Sequence, residues 1–293
     1  MRTSGPLNVS RRPHWAVIIG LLLLPAAGEP SERSETLRGR LVVDGRARRY
    51  TLHLPPQRTP PRALPLVIVL HGHGGTAARI MRLTGMNAVA DREGFAVVYP
   101  EGTSWLGIPW RSWNAGHCCG YAMRKGVDDV GFIRALIDEL DGRHAIDPRR
   151  VYVTGASNGG MMVYRLGCEL SGPIAAIAPV AGSLGVTPCN PDPPLSLLVV
   201  HGTEDSYVPY DGGVSPATRD HRVDPPVANA VLLWREANRC PAAPRVDADG
   251  PVLTETYGDC LNGTEVTLET IHGGAHAWPT RIFSTTERIW EFF

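Results

Sequence analysis

The sequence predicts one α/β domain with a mostly parallel central sheet covered by helices on both faces. Three observations carry this expectation. Short apolar runs recur at Leu66–Leu70, Phe95–Tyr99, Val151–Thr154 and Leu197–Val200, each bounded by Gly or turn residues. Strands buried on both faces read as such continuous runs rather than as alternating ones. Helical patterns lie between the runs, and alternation of strand and helix implies parallel pairing. The 293 residues leave roughly 265 after a leader, which suits one large domain.

Residues 1–28 read as a secretory signal. Arg2, Arg11 and Arg12 make a positive start, Trp15 to Leu24 is an apolar run of ten, and Ala26-Ala27-Gly28 offers a small-residue cleavage site before Glu29. A bilayer span needs about twenty apolar residues, so a retained anchor is the weaker alternative. Arg11-Arg12 makes a poor twin-arginine signal because Pro13 and His14 follow it. The expected single domain is 29–293.

Within it, Leu41-Val42-Val43, the turn Asp44-Gly45 and the alternating Tyr50, Leu52 and Leu54 predict a β-hairpin. Residues 55–65 form a Pro- and Arg-rich loop. Ala175–Val180 and Val266–Ile271 are further candidate strands. Val130, Ile133, Ile137 and Leu140 share one helical face behind Asp128-Asp129, whose charges suit a helix N-terminus. Met161–Leu170 and Val227–Ala237 are the other expected helices. There is no internal repeat, low-complexity segment or linker to an accessory module.

Charge narrows the partners. The chain has 29 basic and 29 acidic residues, a net charge of zero and no basic stripe, so nucleic acid is not expected. No membrane contact is expected once the leader is removed, and a monomer is expected. Six cysteines behind a signal favour disulfides, since no CxxC pair or suitably spaced His suggests zinc. Cys240 with Cys260 is the preferred local bridge. Cys118 and Cys119 are neighbours and are expected to take different partners, Cys168 and Cys189, in an order the sequence leaves open.

The chemistry centres on Gly155-Ala156-Ser157-Asn158-Gly159-Gly160. A strand precedes it (Arg150–Thr154) and an apolar helical segment follows. This is the nucleophile elbow of the α/β-hydrolase fold, which exposes a serine oxygen at the C-terminal end of a strand. A surface serine in a structural turn is the bland alternative. A serine hydroxyl attacks only if a base takes its proton, and in this fold an acid and then a histidine follow in chain order. Asp205 lies after the run Leu197–Val200 and is preferred as the acid over Glu204 and Asp211. His276 lies in the Gly-rich loop after Val266–Ile271 and is preferred as the base over His272.

Charge developing on a carbonyl oxygen needs two donors. One is expected from the backbone N–H of Asn158, after the nucleophile. The other is assigned to the N–H of His73 in His71-Gly72-His73-Gly74-Gly75, where glycines permit close approach. That loop lacks the Lys-Ser/Thr of a phosphate-binding loop. Trp105, Trp110, Trp113 and Trp278 are candidates for an aromatic acyl site, although tryptophans more often simply pack.

The sequence resembles the secreted polyhydroxybutyrate depolymerase-like esterases, a group that includes feruloyl and acetylxylan esterases. The segments that carry the likeness are Leu70–Gly75, Trp113–Gly120, Val127–Val130, the Ser157 elbow, His201–Tyr210 and Gly273–Pro279, in family order. The resemblance implies carboxylic ester hydrolysis by a triad of Ser157, Asp205 and His276, structural cysteines, and no cofactor or metal. The substrate would be a small or polymeric ester. Two departures stand out: His73 occupies a position that is often Cys, and Ala277-Trp278-Pro279-Thr280 follows His276 where Gly is usual. A peptidase of the same fold would call for a gating domain, which is not visible. A non-catalytic binding protein would lack one of the three groups, and all three are present.

Overall fold

The computed structural model describes residues 1, 33–56, 62–105, 110–218, 220–280 and 284–293. The signal expected at 1–28 and its boundary at Glu29 lie outside these residues, Met1 apart. The chain divides into Met1–Pro30 and Ser31–Phe293, and the second unit carries the fold.

Among the described residues, ten strands form one sheet in the order β1-β2-β4-β3-β5-β6-β7-β12-β11-β10. They are β1 (Glu35–Val43), β2 (Arg46–Leu54), β3 (Leu64–Leu70), β4 (Ala96–Pro100), β5 (Ile146–Ala156), β6 (Ala176–Val180), β7 (Ser196–Gly202), β10 (Arg245–Asp249), β11 (Val252–Tyr257) and β12 (Val266–Ile271). The six from β4 to β12 pair in parallel, and hairpins close the two edges antiparallel. A short second sheet joins β8 (Gly213–Val214) to β9 (Val223–Asp224).

Alternation along the strands divides the core between the two faces. Leu66, Ile68 and Leu70 of β3 join one apolar cluster, while Val67 and Val69 join the other. Leu197 and Val199 of β7 separate in the same way from Leu198 and Val200. A period of two sends successive side chains to opposite faces, so a strand covered on both sides must be apolar throughout. The short α3 (Gly120–Arg124) leads into α4 (Asp129–Arg143), which packs with α5 (Asn158–Glu169) and α6 (Val227–Ala237) against one face. The other packs against α1 (Ala77–Thr84), α2 (Met86–Glu93) and the C-terminal α7 (Thr285–Phe292). The architecture is the mostly parallel, doubly covered sheet that the sequence predicts.

Two readings change. Asp128 caps α4, accepting the Gly131 N–H at 2.7 Å, but Asp129 does not face the solvent. Its carboxylate is buried and paired with Arg48 at 2.6 Å, because the register of α4 turns that position inward. Among the cysteines, Cys240 joins Cys260 across 20 residues and Cys168 joins Cys189, whereas Cys118 joins Cys119 itself. The expectation of separate partners for Cys118 and Cys119 rests on the strain that joining neighbouring cysteines places on the peptide between them. The peptide between them is cis, their Cα atoms are 3.1 Å apart, and both sulfurs lie on the same side.

Candidate active site

The C-terminal ends of neighbouring strands bring the expected groups together. Ser157 follows β5 at the centre of the sheet and begins α5, with φ 58° and ψ −123°. This left-handed conformation is costly for a side-chain-bearing residue and is held by its surroundings. Ser157 N–H donates to Val180 O at 2.9 Å, and Ser157 O accepts from Met161 N–H at 2.9 Å. Glycine is required on either side of the elbow. A Cβ on Gly155 would lie 2.8 Å from Leu70 O, and one on Gly159 would lie 2.7 Å from His71 O. The strand end and the start of the helix therefore pass against β3 with no room for a side chain.

Asp205 and His276 come from the loops after β7 and β12, adjacent strands whose loops are tied by backbone bonds. Thr203 N–H donates to Ile271 O at 3.0 Å, and Glu204 N–H to Gly274 O at 2.9 Å. His276 Nδ1 lies 2.7 Å from Asp205 Oδ2. Asp205 Oδ1 accepts the N–H groups of Tyr207 and Val208 at 2.9 and 2.8 Å, so the carboxylate has no freedom to turn. Burial pushes this carboxyl up, but hydrogen bonds from His201 and His276, attraction to His276 and the Val208 N–H outweigh it. The group sits well below the usual carboxylate range and is ionised.

The passed-over candidates lie elsewhere: Glu204, Asp211 and His272 are exposed. Ser157 and His276 line one cavity of about 260 Å³, together with His71, Gly72, His73 and Trp278. No hydrogen bond joins the two side chains. Catalytic contacts of this kind often tighten only when substrate binds.

The loop after β3 faces the nucleophile. A Cβ on Gly72 would lie 3.3 Å from Ser157 Cβ. Gly74 and Gly75 donate to Arg111 O and Gly72 O. The His73 N–H forms no hydrogen bond among the described residues. Asn158 opens α5, where an N–H has no carbonyl one turn earlier to receive it. His73 lines the cavity, as does Ser157, the residue before Asn158.

Several contributors escaped the sequence reading. His201 is fully buried; its Nε2 reaches Val208 O at 2.8 Å and Asp205 Oδ2 at 3.3 Å. The i, i+4 spacing of His201 and Asp205 was its only signal. The Tyr207 ring stands 5.1 Å from that of His276. Trp113 is not an acyl-site residue but a buried strut, its Nε1–H donating to His71 O at 2.8 Å. Trp278 does line the cavity, while Trp105 and Trp110 are exposed, Trp110 within 6.1 Å of the His73 ring.

Comparison with known proteins places this arrangement. Residues 48–187 match the family model described as Esterase PHB depolymerase. The chain is 34% identical over 279 residues to NocK of Nocardia uniformis subsp. tsuyamanensis, covering 88% of this chain and 78% of that protein. It is 33% identical over 236 residues to feruloyl esterase B of Piromyces equi, and there it spans only 42% of the relative's length. An acetyl xylan esterase from Aspergillus awamori superposes with a TM-score of 0.62 over 87% of this chain and 98% of its own, at 14% identity, which speaks for the fold alone. The elbow at Ser157, the two loops that join Asp205 to His276, and these matches agree: the chain belongs to the Esterase PHB depolymerase family, enzymes of carboxylic ester hydrolysis built on the α/β-hydrolase fold.

Proposed function

We propose that the protein hydrolyses esters through a covalent acyl-enzyme on Ser157. One observation supports this best: Ser157 occupies a strained elbow in the cavity it shares with His276, whose other ring nitrogen is fixed by the ionised Asp205. In this mechanism His276 Nε2 takes the Ser157 proton as the oxygen attacks the ester carbonyl. Asp205 holds the imidazole in the tautomer that leaves Nε2 free to accept, and it stabilises the imidazolium that forms. The N–H groups of Asn158 and His73 receive the charge on the carbonyl oxygen. His276 returns the proton to the leaving alcohol; water, activated by the same base, then releases the acid and regenerates Ser157.

The names of the relatives give the substrate classes to test: feruloyl esters, acetylated xylan and poly(3-hydroxyalkanoate). We further propose that the chain is exported before it acts. Three disulfides favour an oxidising compartment, and no helix among the described residues is long and apolar enough to cross a membrane.

The deciding experiment pairs Ser157→Ala with an organophosphonate probe and a panel of p-nitrophenyl esters, methyl ferulate, acetylated xylan and polyhydroxybutyrate. The parent should hydrolyse at least one ester and carry the probe on Ser157. The folded variant should lose several orders of magnitude of turnover, as in subtilisin, where the loss is about 10⁶-fold. Label on another serine, or near-normal turnover by Ser157→Ala, would sink the proposal.

A further inference from the structure

Helix α1 gives three residues to the cavity that holds Ser157 and His276: Arg79, Ile80 and, one turn on, Leu83. Ile80 and Leu83 make an apolar wall. Arg79 is the only Lys or Arg among the lining residues, and no Asp or Glu lines the cavity. Among the described residues its guanidinium has no ion pair and no hydrogen-bond partner. Glu101 does not serve, although it accepts the Ala77 N–H two residues before Arg79. It is engaged by Arg111 at 3.1 Å. A guanidinium is always charged and presents a planar fork of donors that matches a carboxylate. An unbalanced cation in the reaction cavity, against an apolar wall, is therefore poised for an anion that arrives with the substrate.

We propose that Arg79 forms an anion subsite and that the enzyme favours esters bearing a free carboxylate. The class includes hemiesters of dicarboxylic acids and esters of hydroxy acids whose own carboxyl is free. This inference rests on the esterase reading above and names the substrate class of that same site. The carboxylate would meet Arg79 while the carbon chain covers Ile80 and Leu83. The ion pair forms in ground state and transition state alike, so its effect belongs in KM rather than kcat.

The test uses matched pairs of esters. On the acyl side, p-nitrophenyl hemiglutarate is compared with p-nitrophenyl valerate. On the alcohol side, 3-acetoxybenzoate is compared with 3-acetoxybenzamide. The ratio of kcat/KM, anionic over neutral, is measured for the parent, Arg79→Gln and Arg79→Lys. In at least one pair the ratio should fall about fivefold in Arg79→Gln, the size of an exposed ion pair. The fall should lie in KM, Arg79→Lys should restore part of it, and added salt should weaken the parent's preference. Turnover in which neither ratio depends on Arg79 would overturn this inference alone. Absence of turnover of all four esters by a parent that hydrolyses another ester of the panel above would also overturn this inference alone; absence of turnover across that whole panel would overturn the esterase reading and this inference with it.

Discussion

The side chain of Asn158 is bonded twice to the backbone of Trp113, 45 residues earlier: Trp113 N–H donates to Asn158 Oδ1 at 2.8 Å, and Asn158 Nδ2 donates to Trp113 O at 3.1 Å. Both residues are buried. The indole N–H of the same Trp113 holds His71 O, so one residue ties the start of α5 to the loop that carries His73. The residues that carry the two donors proposed for the carbonyl oxygen are thus tied together through the buried Trp113.

Replacing Asn158 by Ala keeps its backbone N–H but strands the Trp113 N–H in a dry interior and leaves Trp113 O with the Cys119 N–H alone. An orphaned buried group costs about 1–3 kcal/mol. Asn158→Ala is expected to lose about 2 kcal/mol or more in urea unfolding. Its kcat should fall at least about tenfold as the donor loosens, since small misplacements are costly in a preorganised site. A variant as stable and active as the parent would show that the clamp does nothing.

His71 makes the protein acid-sensitive within a defined window. Gly102 N–H donates to His71 Nε2 at 3.0 Å, so the proton of the neutral ring sits on Nδ1, which donates to Gly72 O at 2.8 Å. Burial lowers its pKa to about 4; the Gly72 carbonyl opposes the fall, while Arg111 and His73 add to it. The unfolded chain takes up this proton near pH 6.5 and the folded protein only near pH 4. The stability held by the neutral ring is therefore complete above the unfolded value and is lost as pH drops towards 4, by about 3 kcal/mol. Asp224 titrates below this window: hydrogen bonds from His117, Arg222 and Ser183 overcome its burial and take it to about 2. Urea unfolding at pH 7, 5.5 and 4.5 should show a shallower decline for His71→Gln than for the parent. Equal slopes would contradict the assignment.

The legible parts of the molecule are those whose physics is local. Leu66–Leu70 and Leu197–Val200 read as strands because burial on both faces leaves no polar positions. The order Ser157, Asp205, His276 is legible because each follows the C-terminal end of an apolar strand that the sequence shows, β5, β7 and β12 in turn. α1 and α7 escaped because each is only eight residues long, although both carry a cap signal: Thr76 accepts the Arg79 N–H, and Ser284 accepts the Glu287 N–H. β10 escaped because all five of its residues are exposed and its apolar positions never face a core. The Trp113 clamp, the Arg48–Asp129 pair and the bond between Cys118 and Cys119 depend on tertiary placement or on one peptide's geometry. No spacing rule reports these.

The bridge between Cys240 and Cys260 joins the end of the α6 segment to the turn before β12, closing a loop of 20 residues. Cross-linking such a loop restricts the unfolded chain by about 3 kcal/mol in the loop-entropy model. Cys240→Ser with Cys260→Ser is expected to lower the urea midpoint accordingly while retaining ester turnover, since neither residue lines the cavity. Unchanged stability would mean that strain in the folded bridge cancels the entropy. Lost turnover in a still-folded variant would show that the bridge reaches the site.

The last prediction concerns the buried pair beneath the site loops. Arg48 meets Asp129 Oδ1 at 2.6 Å, and its guanidinium carbon lies 3.9 Å above the Phe132 ring. The second carboxylate oxygen accepts the Asn114 N–H at 2.7 Å, next to Trp113. Burial raises the Asp129 pKa even against the pull of Arg48 and the Asn114 bond. Arg48→Met removes that pull and strands a charge in the interior, which typically costs about 3–5 kcal/mol at neutral pH. A carboxyl whose folded pKa lies above its unfolded value gains protons in the folded state first, so acid relieves the variant more than the parent. The stability gap between parent and Arg48→Met should therefore be widest near pH 8 and narrower at pH 5.5. Adding Asp129→Asn should recover part of the loss at pH 8, because no charge is then left unpaired. A gap that stays constant or widens on acidification would show that Arg48 acts through packing on Phe132 rather than through the charge it neutralises.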